Sequence, residues 1–210
     1  MLRPPTVIFI LVSVFLVWSW MMQRSTTVTL QDTDYSLTYR VAWGFGMKER
    51  LMLGKTEAPW SLASSQWVEI WKKPYNSGAV LYVSNDGQTF YIGTYYKLGI
   101  AMPDSKRLVM TCDKADIPKL TQLGRHISAS QDFEQVKIID PEGQSFPSYI
   151  EADVPGRTTT GPPTPSKYYI DLQYIGRFGV VRGKSRGKDV RFVSSDNAPE
   201  PQMSLNVHCG

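Results

Sequence analysis

Along YSLTYRVAW, residues 35–43, side chains alternate strictly: Tyr35, Leu37, Tyr39, Val41 and Trp43 fall on one face, and Ser36, Thr38, Arg40 and Ala42 on the other. That period of two predicts a half-buried strand. From Ala79 to Tyr96 the runs AVLYVS and QTFYIGTYY flank Asn85-Asp86-Gly87, which predicts a hairpin closed by a tight turn. Short runs rich in β-branched and aromatic residues predict further strands at 26–31, 67–72, 107–112, 135–139, 148–152, 168–175, 178–182, 190–194 and 203–208. A single helix is expected over 116–126, with Asp116 near its start and Pro118 tolerable only in the first turn. Many short strands separated by turn signals give a mainly β fold: one antiparallel β-sandwich or barrel-like domain with at most one short helix.

The first two dozen residues break this pattern. Pro5 to Met22 carries no charge, and only Thr6, Ser13 and Ser19 are polar. As a helix it would measure about 27 Å, near the roughly 30 Å hydrocarbon thickness of a bilayer. Trp18 and Trp20 stand where indoles favour a membrane interface, and they crowd the Val17 and Ser19 positions that cleavage of a signal peptide would need. The expectation is therefore a retained N-terminal transmembrane helix within residues 1–24. Residues 25–210 would then form a β-rich domain in the periplasm or extracellular space of a single-pass membrane protein. Val154 to Ser166, with four prolines and two glycines, cannot be a central strand and is expected as a long exposed loop.

Of 210 residues, 42% are hydrophobic and 20% charged, enough apolar surface to offset the entropy of folding. The net charge of +4 is concentrated in one place: Arg177, Arg182, Lys184, Arg186, Lys188 and Arg191 are accompanied only by Asp189. Gly183 and Gly187 allow a turn there, so Arg182, Lys184, Arg186, Lys188 and Arg191 are expected on a basic hairpin that meets an anionic lipid or glycan or an acidic protein partner. The expected compartment excludes nucleic acid.

Cys112 and Cys209 both end expected strands, and an even count in an oxidising compartment permits one disulfide between them. Leu108-Val109-Met110-Thr111-Cys112 superficially resembles the strand-end cysteine motif of the sortase transpeptidases. It departs from that pattern at Leu108 and Val109, and both histidines, His126 and His208, lie downstream of the cysteine. No metal-ligand spacing, phosphate-binding glycine loop or nucleophile elbow is present, and neither cofactor nor catalytic residue is expected. Trp43, Trp60, Trp67, Trp71 and Tyr75 are expected mostly in the core.

The sequence thus points to a binding or structural subunit of a cell-envelope or membrane complex. One alternative is an envelope hydrolase or transferase using Cys112 or a carboxylate pair; another is an accessory subunit facing the cytoplasm.

Overall fold

The computed structural model describes residues 4–44, 46–57, 61–70, 77–94, 98–110, 149–169, 172–182 and 189–201. The expected helix at 116–126, the strands at 135–139 and 203–208, both cysteines and both histidines lie outside these residues, as do Trp60, Trp71 and Tyr75.

The chain is mainly β. Among the described residues one sheet has five strands, β1 (Gln23–Thr29), β2 (Tyr35–Trp43), β3 (Met47–Lys55), β4 (Ser61–Ser64) and β5 (Val68–Ile70). It is antiparallel throughout, with β4 and β5 pairing successive stretches of β3. The second sheet has eight: β6 (Ala79–Ser84), β7 (Phe90–Thr94), β8 (Leu98–Met102), β9 (Arg107–Met110), β10 (Tyr149–Glu151), β11 (Thr164–Pro165), β12 (Leu172–Arg182) and β13 (Val190–Ser194). Strands β6 to β9 form a meander, and β12 joins it beside β6. Strand β10 runs parallel to β12, so this sheet is mixed rather than purely antiparallel.

The alternation of β2 is realised: Leu37, Tyr39 and Val41 are fully buried while Thr38 and Arg40 are half-buried on the opposite side. The expected hairpin is β6–β7. Its turn closes through Ser84 N–H to Thr89 O (2.9 Å) and Gly87 N–H to Ser84 O (2.8 Å), with Gly87 at a φ of 74°. The Asp86 carboxylate accepts from the Gln88 N–H and the Ser84 hydroxyl, which holds it below the usual carboxylate range.

Inward side chains of both sheets make one core, including Leu37, Tyr39, Val41, Leu51 and Leu53 from the first and Leu81, Phe90, Ile92, Phe178 and Phe192 from the second. Tyr39 stacks on Phe178 at 5.5 Å between centroids, and Phe178 meets Phe192 at 4.9 Å. The outer face of the larger sheet is also covered in part: Val80, Tyr82, Ile100 and Tyr174 pack beneath Tyr168 and Tyr169. Glu200 secures that cover by accepting from the Ser166 hydroxyl and the Lys167 N–H, each at 2.6 Å.

The proline-rich stretch is exposed over most of its length but is bonded through its middle. Thr29 N–H donates to Thr158 O (2.8 Å), Thr160 N–H donates to Thr29 O (3.2 Å), and Arg157 N–H donates to Phe192 O (2.9 Å). It therefore straps β1 of one sheet to β13 of the other, and its end supplies β11 on β12.

The structure does not bear out the expected membrane anchor. Helix α1 runs Pro4–Met21. Among the described residues no helix is long and apolar enough to cross a membrane, so the single-pass localisation does not stand. The helix is nonetheless apolar and exposed, with Ile8, Phe9 and Leu11 more than half accessible to solvent.

Candidate functional site

Of the expected basic hairpin, Arg182 and Arg191 are described; Lys184, Arg186 and Lys188 lie outside the described residues. Arg182 ends β12 with its guanidinium 3.5 Å from the Glu151 carboxylate and 5.3 Å from the centre of the Tyr149 ring. Arg191 donates from Nη1 to Ala152 O (3.1 Å) and Val154 O (2.9 Å), and its Nε lies 3.4 Å from Asp189 Oδ2. Its methylenes cover Gly156 so closely that a Cβ there would sit 3.1 Å away. Arg177 donates to Tyr149 O (3.0 Å), and burial lowers its proton affinity. These arginines fasten the 149–156 segment onto β12 and β13. For the Cys112–Cys209 bridge there is no geometry, since both residues lie outside the described ones.

A second cationic group forms where β1, β2 and β3 lie side by side. The register sets Ser25 opposite Arg40 and Arg40 opposite Arg50. All three belong to the outward set, because their neighbours Val41, Glu49 and Leu51 point into the core. The Arg50 guanidinium lies over the Trp67 ring at 4.8 Å, a cation–π contact that fixes it in place. Its Nε is buried without a hydrogen-bond partner. Partial burial, and then the charge of Arg40, lower its proton affinity. The Arg40 side chain has no hydrogen bond or ion pair among the described residues. Two like charges directly opposite across a strand pair destabilise a sheet.

Arg24, next to Ser25 on β1, pairs with Val41 rather than with Arg40 and lies toward α1. Its Nη1 donates to Met21 O (2.9 Å) and Gln23 O (2.7 Å), where the chain leaves the helix for β1. Trp43 N–H donates to Met22 O (2.8 Å), tying that junction to the end of β2. Between them opens a cavity of about 510 Å³ lined by Met21, Gln23, Arg24, Ser25 and Arg40. Hydroxyls stand close by, with Thr27 and Thr38 hydrogen-bonded at 2.8 Å. Guanidinium forks and a hydroxyl can hold an oxyanion; they supply no nucleophile. A larger open depression of about 640 Å³ surrounds the β1–β2 turn and includes Asp32, Asp34 and Asp104. Among the described residues no group of acidic, His or Cys side chains could hold a metal ion.

Beneath the outward arginines lies a buried carboxylate. Glu49 is only 2% exposed; its Oε2 accepts from the Tyr39 hydroxyl (2.6 Å) and from Gly78 N–H (3.3 Å), and the same N–H reaches Tyr39 Oη at 2.8 Å. Its other oxygen has no partner. Burial raises the Glu49 pKa to about 7 despite these hydrogen bonds, and burial together with Glu49 raises that of Tyr39.

The Arg40–Arg50 pair was not legible in the sequence, although Arg40 was expected on a polar strand face. What hid it was β3 (Met47–Lys55), which is absent from the strands expected from the sequence. No family model, curated protein or solved structure matches this chain.

Proposed function

We propose that this chain is a binding domain, a subunit of a larger assembly that engages an acidic protein partner through the outer face of its five-stranded sheet. We read its two sheets as a β-sandwich that holds this face flat and rigid. The observation that carries the proposal is the Arg40–Arg50 pair, two guanidinium groups set opposite one another with Arg50 immobilised on Trp67. Their repulsion weakens the free protein, and an anionic partner would offset it. Arg and Trp are also the residue types that dominate binding energy at protein interfaces.

A photocrosslinking residue in place of Thr38, between the arginines and the Thr27 hydroxyl, tests this in cells of the source organism. The expected result is one salt-sensitive adduct, lost when Arg40 and Arg50 are both changed to Glu and absent when the same probe replaces Asp86 on the other sheet. An adduct that persists in the double variant, or none at all, rejects the reading.

A further inference from the structure

We propose that the cavity between α1 and the edge of the five-stranded sheet is a binding site for a phosphate-class oxyanion, held by Arg24 and Arg40 with the Ser25 hydroxyl. This inference deepens the proposed function and rests on it, because Arg40 belongs to both the docking face and the cavity lining.

Three observations converge on this chemistry. Arg24 is oriented before any ligand arrives, since its Nη1 is anchored on the Met21 and Gln23 carbonyls; its Nη2 and Nε have no acceptor among the described residues. Preorganised donors bind better than mobile ones, because less freedom is lost on binding. Arg40 lines the same cavity, likewise without an acceptor among the described residues, and the β1–β2 register brings the Ser25 hydroxyl opposite it. Two guanidinium groups balance a dianion, and a tetrahedral anion offers the several oxygens needed to meet both forks and the hydroxyl at once. Among the described residues the remaining lining, Met21 and Gln23, contributes no negative side chain. The ligand is either a free phosphate-type anion or a phosphorylated side chain of the partner.

The test uses the full chain, titrated with inorganic phosphate, with a short glycine-flanked phosphoserine peptide, with the same peptide carrying Ser, and with phosphatidylserine vesicles, all against sodium chloride of equal ionic strength. Calorimetry and the thermal midpoint are the readouts. Inorganic phosphate should bind saturably at 1:1, and Arg24→Gln and Arg40→Gln should each weaken it at least tenfold while Lys55→Gln leaves it unchanged. Binding of phosphate alone identifies the source as a free anion; binding of the phosphoserine peptide as well, but not its Ser form, identifies a partner side chain. Circular dichroism of both Gln variants guards against misfolding, and the two variants fail independently. No saturable binding beyond chloride, parental affinity in both Gln variants, or binding to vesicles without binding to phosphate or peptide overturns the site. If the site is overturned while the Thr38 adduct still depends on Arg40 and Arg50, the oxyanion chemistry fails and the docking face stands.

Discussion

Burying a carboxylate beneath a charged sheet face gives Glu49 a proton affinity suited to neutral pH. In the unfolded chain its proton leaves near 4.5, whereas in the fold it leaves near 7. The folded state therefore holds the extra proton between these values, and its stability contribution is fully present below pH 4.5 and lost as pH rises through 7. A shift of this size corresponds to about 3 kcal/mol. Glu49→Gln keeps an oxygen for the Tyr39 hydroxyl and Gly78 N–H but cannot ionise. We expect urea unfolding at pH 5 and pH 8 to show the parent losing on the order of 3 kcal/mol more than the variant over that interval; parallel losses would show that the fold does not raise the Glu49 pKa. The same residue explains why β3 was not foreseen. A Glu at an inward position interrupts the alternation Met47, Leu51, Leu53, and the hydrogen bonds from Tyr39 of β2 and from Gly78, the residue before β6, make it tolerable.

Strand β12 shows what an element can conceal. The sequence divides it into strands at 168–175 and 178–182, yet the chain runs continuously from Leu172 to Arg182 with a register shift between Tyr174 and Gly176. Gly176 has a φ of 154°, and a Cβ there would stand 2.3 Å from Val193 O and 2.6 Å from the Phe192 ring. The glycine that looks like a break is the close approach that lets β13 pair along the bulged strand. Gly176→Ala should cost about 3 kcal/mol or more, because backbone cannot move aside cheaply; chemical denaturation checks this, and a loss under about 1 kcal/mol would place the bulge elsewhere. The proline-rich strap is the converse case. Its prolines correctly exclude a central strand, but bonds from Thr29, Thr158, Thr160 and Arg157 are long-range and leave no local signal. The Arg157–Asp196 ion pair on it is 3.0 Å long with both side chains more than 40% exposed, so Arg157→Ala should cost less than about 1 kcal/mol. A larger loss in thermal unfolding would mean that the ion pair, not the backbone bonds, holds the strap.

At the scale of the whole molecule, the hairpin β6–β7 and the alternation of β2 were legible because each is local, while the way the two sheets meet was not. Their junction is a stack of rings: Tyr39 from the first sheet rests on Phe178, and Phe178 on Phe192, from the second. All three rings are fully buried, and Tyr39 also carries the hydrogen bonds that reach Glu49 and Gly78. Neither sheet can open without exposing its half of this stack, so the two should unfold as one cooperative unit. Native-state hydrogen exchange is expected to give the same opening free energy for amides of Leu37 to Val41 and of Ala79 to Val83. Phe178→Ala removes the middle ring and should lower both sets together by about 3–5 kcal/mol, the cost of emptying a buried aromatic site. If protection fell in β6 and β12 while β2 kept its parental values, the sheets would be separate units and the shared ring stack would not couple them. Equal loss in both would establish that the arginine-bearing face is held by the full stability of the domain.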